Sequence, residues 1–206
     1  MGLVYIKPNF IFLPLMSTSD IVIDAGCSYE ADFSVHMLSK YNVCCYAVDP
    51  TRKHSAALRK LERDFSGRFN YMPIALGPAD GEVIFYESEL YESGSLMEDH
   101  TNVRRDKTVS YAVRTLTLPS LLKEIGIGIG QHISILKLDI EGAEYLLLNK
   151  IASADLEVID QLFVEFHHHA IARYSVEDTL NIVHRLKTLG FKSFSLDDHN
   201  YLFWRS

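Results

Sequence analysis

Short apolar runs alternate with helical patterns along most of the chain, and this alternation restricts the folds open to it. The apolar runs lie near residues 21–23, 43–48, 69–76, 109–117, 133–138 and 158–166, with helical patterns near 31–40, 51–65, 119–125, 143–151 and 176–189. Because parallel neighbours need a crossover, we expect an α/β fold with a mainly parallel sheet and helices on both faces. A chain of 206 residues suits one domain, 1–206, with residues 1–20 as a short N-terminal extension.

The C-terminal region is expected to depart from this alternation. Residues 191–196 and 201–204 form a last strand pair, and the polar turn at 197–200 is too short for a parallel crossover. We therefore predict that this strand pair forms an antiparallel edge of the sheet and that the C-terminal strand is antiparallel. The glycine-containing run at 126–130 lies between a helix and a strand, so it predicts a connector and not a phosphate loop.

An inserted region follows the third predicted strand. Asp80 and Gly81 predict a tight turn into a hairpin-like strand at residues 83–86. The stretch 87–108 is polar and predicts a long surface loop. Loops of this length often cover a functional site, so this one is expected to contact the substrate.

Charge and cysteine content exclude several classes of partner. The formal net charge is −7, and lysine and arginine are scattered along the chain. Nucleic-acid binding relies on a clustered basic surface, so no nucleic-acid partner is expected. The short basic run Arg104, Arg105, Lys107 is interpreted as a solvated loop. Three cysteines without a CxxC spacing predict neither disulfides nor a zinc site, which favours a cytoplasmic location. The apolar run 10–16 is shorter than the about 20 residues that span a bilayer, so no membrane partner is expected. The oligomeric state stays open.

Acidic side chains follow the predicted strands at the points where these strands end. Asp24 follows the first strand and Asp49 the second, whereas Asp139 and Glu141 follow the strand at 133–138. Ligands of open α/β sheets bind beyond the carboxyl ends of the strands, where the strand order reverses. We therefore predict the ligand site at this acidic edge.

The loop after the first strand indicates which ligand it binds. Gly26 lets the backbone approach a ligand, and Asp49 is suited to accept both ribose hydroxyls. A dinucleotide needs a GxGxxG loop against its pyrophosphate, but this loop has Gly26 alone, and Glu30 would repel phosphate. A ligand with a ribose, no phosphate and a positive centre, such as S-adenosylmethionine, suits it better. The alternative that Asp24 only caps a helix and Gly26 only turns the chain stays open.

Several motifs, in order along the chain, resemble the FkbM family of S-adenosylmethionine-dependent methyltransferases. They are Asp24-Ala25-Gly26, Val48-Asp49-Pro50, Ala75-Leu76-Gly77 with Asp80-Gly81, and above all Leu136-Lys137-Leu138-Asp139-Ile140-Glu141-Gly142-Ala143-Glu144. The resemblance runs from about residue 21 to residue 204. It implies a Rossmann-like class I methyltransferase fold and usually O-methylation of a small-molecule or glycan acceptor.

The same resemblance implies a set of cofactor-binding residues. These are Asp24, Gly26, Asp49, Ala75 and Leu76, and the neighbouring Cys27 and Ser28 together with Asp139 are further candidates for binding the cofactor. Asp24 and Gly26 would line the methionine side and Asp49 would hold the ribose. Ala75 and Leu76 would lie near the adenine. The chain departs from the family where the first loop normally carries a second glycine, because Glu30 or Ala31 stands there.

The acids of the fourth strand are predicted to differ in role. Strand alternation places Lys137, Asp139 and Glu141 on one face, so Lys137 is expected to hold Asp139 ionised and oriented. Glu144 falls in the first turn of the following helix, where the dipole favours an acid by about 0.3–1 kcal/mol. We therefore interpret Glu144 as a helix-stabilising residue.

Glu165 and His167, at the end of the next strand, are expected to complete an acid–base cluster with Asp139 and Glu141. An alcohol nucleophile benefits from a base, and an imidazole with a pKa of about 6.5 suits that role. His167 to His169 also fit a polar loop exit. The cluster could also ligate a divalent metal ion, but a metal cofactor is not expected.

The alternative functions are a nicotinamide-dependent oxidoreductase and a non-catalytic or nucleotide-binding module.

Overall fold

The computed structural model describes residues 2–7, 9–16, 20–104, 107–128 and 131–205. Arg105 of the predicted basic cluster, and Ile129 and Gly130 of the predicted connector, lie outside the described residues. Across the described ranges, no helix is both long enough and apolar enough to cross a membrane.

Strands and helices alternate through most of the described chain. The strands are β1 (Val4–Ile6), β2 (Phe10–Phe12), β3 (Ile21–Ala25), β4 (Cys44–Val48), β5 (Phe69–Met72), β6 (Ala75–Leu76), β7 (Gly81–Ser88), β8 (Gly94–Ser95), β9 (Thr108–Leu116), β10 (Ile133–Leu138), β11 (Gln161–Glu165), β12 (Lys192–Ser195) and β13 (Asn200–Trp204). The α-helices are α1 (Asp32–Tyr41), α2 (Ser55–Asp64), α3 (Thr101–Arg104), α4 (Leu118–Glu124), α5 (Ala143–Lys150) and α6 (Val176–Thr188), and short 3-10 helices lie at Arg52–His54 and Ser153–Leu156.

The central sheet has the strand order β5-β4-β3-β10-β11-β13-β12. Neighbouring strands are parallel except at β13, which runs antiparallel to both β11 and β12. The predicted α/β fold, with a mainly parallel sheet and an antiparallel C-terminal strand, is confirmed. The predicted antiparallel edge is also confirmed, because β12 and β13 pair antiparallel at one end of the sheet, with β13 next to β11. The strand order reverses between β3 and β10, which is where an open sheet of this kind forms a crevice.

Two apolar layers cover the sheet. Ile23 and Leu136 face a layer that includes side chains of α4, α5 and α6. Val22 and Ile135, their neighbours in sequence, face the opposite layer with side chains of α1, α2 and β2. This alternation follows from the pleat of the strands, and it confirms helices on both faces.

The N-terminal residues are part of the second layer. β1 and β2 pair as antiparallel strands, and Phe12 is fully buried. The Gln161 amide fixes the segment to β11, since Leu13 N donates to its Oε1 at 2.7 Å and its Nε2 donates to Leu13 O at 2.9 Å. Phe10 packs edge-on against Phe163, with ring centroids 5.7 Å apart. The apolar run 10–16 therefore covers the central sheet.

The third predicted strand, residues 69–76, is divided between two sheets. β5 belongs to the central sheet, whereas β6 joins a smaller sheet of order β6-β9-β7-β8. Pro73 lies between them and has no N–H to donate to a neighbouring strand, so the division occurs there. The predicted hairpin-like strand is confirmed as β7, which pairs antiparallel with β9 along its full length.

The prediction of a surface loop at residues 87–108 is wrong. The segment contains β8 and α3, and Ser95, Met97 and His100 are buried in it. It packs on the chain that follows β11, where Thr101 N donates to Ala170 O at 2.8 Å. Residues 89–92 of the segment are exposed, whereas Ser95 and His100 are buried against Glu141, and composition alone does not distinguish the two groups.

Gly26 lies where the loop after β3 meets the end of β10. Its φ is +76°, and a Cβ at this position would lie 1.6 Å from the carbonyl oxygen of Asp139. The contact is reinforced by backbone hydrogen bonds from Gly26 N to Val48 O (2.9 Å) and from Asp139 N to Ala25 O (3.0 Å). A side chain at residue 26 would therefore separate β3 from β10 at the crevice.

Gly26→Ala is expected to lower the free energy of unfolding by about 1–3 kcal/mol, because the added Cβ overpacks the contact with Asp139. The positive φ, which is unfavourable for alanine, is expected to add a further loss of about 1 kcal/mol. Gly67→Ala is the matched control, because Gly67 has φ +78° and open space around its Cβ position. Urea denaturation of both variants measures the difference. Equal losses in the two variants would contradict the proposed contact with Asp139.

Candidate functional site

A cleft of about 250 Å³ opens at the carboxyl ends of β3, β4 and β10. The predicted site residues that line it are Gly26, Ser28, Asp49, Ala75, Leu76, Asp139 and Glu141. The predicted residues that lie deeper or beside it are Asp24, Cys27, Glu165 and His167. The sheet thus brings most of the predicted residues to one edge, at the reversal in strand order.

Asp49 connects the loops that follow β3 and β4. Its Oδ2 accepts from Ser28 N at 3.1 Å and its Oδ1 accepts from Thr51 N at 2.8 Å. The Nδ1 of His54 lies 3.1 Å from Oδ2, and both side chains are about 5% exposed. A carboxylate offers about four acceptor positions, so Asp49 retains capacity for one further donor from the cleft.

Part of the cleft lining is apolar. Val48, Ile74 and Leu76 form one wall, and Phe85 of β7 contributes an aromatic ring. β8 closes this side, since a Cβ at Gly94 would lie 2.5 Å from the Phe85 ring. Ser93 and Gly94 are therefore site residues that the prediction of a surface loop missed.

Lys137 is buried directly beneath the cleft and is 1% exposed. Its Nζ donates to Gly26 O at 2.9 Å, and it lies 3.1 Å from Asp24 Oδ1 and 3.3 Å from Asp139 Oδ2. Burial alone would lower the pKa of this ammonium, but the carboxylates of Asp24 and Asp139 raise it above its ordinary value. Lys137 is therefore a fixed cation at the point where β3 and β10 meet.

Asp24 and Cys27 lie in the wall behind the cleft. Asp24 is fully buried, and its second oxygen, Oδ2, accepts from Ser34 Oγ at 2.8 Å. Burial raises the pKa of the Cys27 thiol, and the nearby Asp49 and Asp24 raise it further. The thiol is therefore protonated at neutral pH.

His167 lies among three carboxylates. Its Nδ1 is 2.8 Å from Glu144 Oε1, and its Nε2 is 3.6 Å from both Asp139 Oδ1 and Glu141 Oε2. Burial would lower the pKa of this imidazole, but Glu144 and then Glu141 raise it well above its ordinary value. His167 is therefore an imidazolium at neutral pH, which leaves it no free lone pair to act as a base.

Asp139 and Glu141 face the cleft with opposite shifts in pKa. Burial raises the pKa of Asp139 to about 7, with Lys137 and His167 opposing the shift and Glu165 adding to it. For Glu141, burial is outweighed by His167 and by a hydrogen bond from His100, which lower its pKa to about 2. The two carboxyl groups are thus suited to different tasks: Asp139 can exchange a proton near neutral pH, and Glu141 stays charged.

Glu144 and His100 complete the cluster. Glu144 is fully buried, with Oε2 accepting from Gly142 N at 2.9 Å and Oε1 accepting from His167 N at 3.0 Å. The interpretation of Glu144 as only a helix-stabilising residue is therefore wrong, because it also fixes His167. His100 Nε2 lies 2.8 Å from Glu141 Oε2, and Asn102 N lies 3.3 Å from its Nδ1. His100 belongs to the segment at residues 87–108, which is expected from its length to contact the substrate, but the prediction singles out no residue within it.

Glu165 is hydrogen-bonded to the N-terminal segment. Its Oε2 accepts from Asn9 Nδ2 at 2.8 Å, and that amide also donates to Asn200 Oδ1 at 3.3 Å. Glu165 acts on the cluster through its charge, since it raises the pKa of Asp139.

Asp139, Glu141 and His167 offer donor atoms within 4.8 Å of one another, so they have the dimensions of a metal site.

The family model of the methyltransferase FkbM domain matches residues 25–193 of the chain. The chain belongs to this family. The predicted resemblance is thereby confirmed. A search of the curated proteins found no match to the chain.

Solved structures share the fold at low sequence identity. The FkbM methyltransferase from Methylobacillus flagellatus KT is 15% identical with a TM-score of 0.56, and the match covers 93% of this chain and 45% of that protein. The Methanococcus jannaschii fibrillarin pre-rRNA processing protein is 9% identical with a TM-score of 0.50, covering 99% of this chain and 82% of that one. Human methyltransferase 10 domain containing protein is 8% identical with a TM-score of 0.50, covering 94% and 75%. These matches confirm the Rossmann-like class I methyltransferase fold.

Lys137→Met is expected to lower the free energy of unfolding of this FkbM-family chain by about 3–5 kcal/mol at pH 7. The reason is that the buried carboxylate of Asp24 loses its countercharge. Urea denaturation measures the loss. Lys60→Met is the control, because Lys60 pairs with Asp64 at 2.6 Å on the surface, with the two side chains 69% and 48% exposed.

The double variant Lys137→Met/Asp24→Asn separates the charge effect from lost packing. It is expected to be clearly more stable than the sum of the two single losses predicts, because neither buried charge remains. Lys60→Met should stay within about 0.5 kcal/mol of the parent. A Lys137→Met variant as stable as Lys60→Met, or strictly additive losses, would show that Lys137 is not the countercharge.

Proposed function

We propose that the chain transfers a methyl group from S-adenosylmethionine to a hydroxyl of a small-molecule or glycan acceptor. The observation that carries the proposal is the cleft at the strand reversal, which combines Asp49, an apolar wall and the paired carboxyl groups of Asp139 and Glu141. Membership of the FkbM methyltransferase family supports the same reaction. The chain spans 45% of the Methylobacillus FkbM protein, so the acceptor of the whole protein is part of the proposal.

The chemistry of the cleft fits each part of S-adenosylmethionine. Asp49 retains one acceptor position for a ribose hydroxyl, beside the apolar wall of Val48, Ile74 and Leu76, which suits adenine. The carboxylates at the end of β10 suit the ammonium and sulfonium charges. A pyrophosphate would meet Asp49 and Glu141 instead of a glycine-rich cradle, which disfavours a nicotinamide dinucleotide.

The residues at the end of β10 are proposed to hold the acceptor and take its proton. When bound, S-adenosylmethionine supplies a methyl group that passes to the acceptor oxygen, while the electron pair of the carbon–sulfur bond stays on sulfur. Asp139 accepts the hydroxyl proton, because its pKa of about 7 makes it a base at neutral pH. His167 takes the role of a fixed cation that orients Asp139 and Glu141. The role of base is thus moved from His167 to Asp139.

Asp49→Asn is expected to weaken binding of S-adenosylhomocysteine by about 10- to 100-fold, because one hydrogen bond to a charged acceptor contributes about 1.5–3 kcal/mol. Isothermal titration calorimetry at pH 7.5 measures the affinity. Asp64→Asn is the control, because Asp64 is an exposed carboxylate on α2.

Titrating NADH in parallel tests the alternative functions. Binding of NADH but not S-adenosylhomocysteine would support an oxidoreductase and overturn the proposal. Binding of S-adenosylhomocysteine with no methyl transfer to a panel of phenols, polyols and sugars would favour a binding module. An unchanged affinity in Asp49→Asn, with circular dichroism showing a folded protein, would contradict the ribose assignment.

The rate of methyl transfer is expected to rise with pH and reach half its maximum near pH 7, because Asp139 must be deprotonated to act as a base. Asp139→Asn is expected to lower kcat by about 10²- to 10⁴-fold while S-adenosylhomocysteine still binds. Release of S-adenosylhomocysteine measures the rate across pH 5.5–9 with the best acceptor of the panel.

Two neighbouring variants should shift this pH profile in opposite directions. His167→Gln removes a cation that lowers the pKa of Asp139, so the midpoint should move to higher pH. Glu165→Gln removes an anion that raises this pKa, so the midpoint should move to lower pH. A loss of packing alone would lower the rate without these opposite shifts. A midpoint that stays in place in both variants would show that Asp139 is not the titrating base.

A further inference from the structure

A second cluster of histidine and aspartate lies outside the cleft, at the same end of the sheet. His168 follows β11, and Asp198 and His199 form the turn that precedes β13. One donor atom from each of these residues lies within 4.8 Å of the other two. His199 Nδ1 is 2.8 Å from Asp198 Oδ1. None of these residues takes part in the function proposed above.

The backbone holds the two halves of this cluster together. β11 and β13 are antiparallel neighbours, so the chain leaving β11 meets the chain entering β13. Phe166 N donates to His199 O at 2.8 Å, which joins the residues that precede His168 to the turn. The turn itself is fixed by Asp197, whose Oδ1 accepts from His199 N at 3.0 Å and from Asn200 N at 2.6 Å. The cluster therefore rests on sheet hydrogen bonds and on a hydrogen-bonded turn.

The imidazole of His168 is oriented by a buried hydroxyl. Its Nδ1 lies 3.0 Å from Thr179 Oγ1, and Thr179 is fully buried on α6. The same hydroxyl lies 2.7 Å from the Tyr145 OH, which completes a buried chain of three side chains. A hydrogen bond at one ring nitrogen fixes the tautomer and directs the other toward a ligand, as is usual for metal-binding histidines. Because Nδ1 of His168 contacts Thr179, Nε2 is the ring nitrogen left for a ligand.

We propose that His168, Asp198 and His199 bind a first-row transition-metal ion of the Zn²⁺ type. Two imidazoles and one carboxylate are a donor set for such ions, whereas Mg²⁺ and Ca²⁺ favour sites built from oxygen. Tetrahedral coordination with zinc–ligand distances of about 2.0–2.2 Å places the donors about 3.3–3.6 Å from one another. Asp198 is 70% exposed and free to move to this distance. The His169 ring, 4.9 Å from that of His199, lies close enough to be a further donor.

Existing contacts favour this outer cluster over Asp139, Glu141 and His167. The inner donors are already engaged, because Lys137 lies 3.3 Å from Asp139, His100 lies 2.8 Å from Glu141, and the Nδ1 of His167 lies 2.8 Å from Glu144. Asp198 of the outer cluster is 70% exposed, and in the described part of the chain its ion pair is with His199, itself a proposed ligand, with no lysine or arginine joining it. A divalent cation would therefore have to displace other partners at the inner carboxylates, whereas at the outer cluster it meets side chains that pair with each other.

The test is a calorimetric titration of the EDTA-treated, dialysed chain with Zn²⁺. One ion per chain is expected, and His168→Asn and Asp198→Asn should each weaken binding at least tenfold. His132→Asn is the matched control, because His132 and Asp160 form an exposed pair at 3.1 Å without a third donor. Asp198 is exposed, so its variant is not expected to disturb folding. Thr179→Val keeps the side-chain shape and should weaken binding about 10- to 100-fold.

Three results would overturn the proposal. Loss of the Zn²⁺ site in Glu141→Gln, with binding unchanged in Asp198→Asn, would assign the ion to the inner cluster. Equal weakening in His132→Asn and His168→Asn, or several weak ions per chain, would show adventitious surface binding. Unchanged affinity in both His168→Asn and Asp198→Asn would remove the outer cluster as the site. Co²⁺ absorption provides a second readout, because its ligand-field bands should disappear in Asp198→Asn and persist in His132→Asn.

Discussion

The buried ammonium of Lys137 is the interaction on which the site depends. It lies within 3.3 Å of Asp24, of Asp139 and of the Gly26 carbonyl, and these partners come from the two strands between which the strand order reverses. An unpaired charge at this depth costs several kcal/mol, so the three partners are kept together whenever the chain is folded. The Phe10 ring, 5.0 Å from Nζ, covers the same cation from the N-terminal strand pair. The crevice that opens above Lys137 is therefore set by the core of the protein.

Charges alternate outward from Lys137 through the cluster. Asp139 follows Lys137, the imidazolium of His167 follows Asp139, and Glu141 and Glu144 surround that imidazolium. Asp139 shares its lysine with Asp24 and faces Glu165, so burial prevails and its pKa rises to about 7. Glu141 faces the imidazoles of both His167 and His100, so its pKa falls to about 2. Asp139 and Glu141 are two residues apart, yet their different neighbouring charges make Asp139 a proton acceptor and Glu141 a permanent anion.

Features that depend on local pattern could be predicted from the sequence, and those that depend on distant contacts could not. The alternation of strands and helices predicted the sheet, and the acids at strand ends predicted which residues meet at its edge. The roles of Glu144 and His100 depend on partners at residues 167 and 141, far along the chain, which no local pattern encodes. The same holds for Asn9, which reaches Glu165 across 156 positions. His167 was assigned as a base from the usual pKa of histidine, and its three surrounding carboxylates reverse that assignment.

Backbone strain at the end of β10 explains why the inserted segment is part of the site. Glu141 has φ +53°, a conformation that costs a residue with a side chain about 1–3 kcal/mol unless its surroundings hold it. The surroundings come from the segment at residues 93–100: Ser95 Oγ donates to Glu141 O at 2.6 Å, and His100 binds its side chain. In this conformation the carboxylate of Glu141 lines the cleft, and Gly142, also left-handed at φ +101°, starts α5 directly behind it. The segment between β7 and β9 therefore stabilises the strained turn that presents Asp139 and Glu141 together, and a central sheet without it would lack the contacts that hold this geometry.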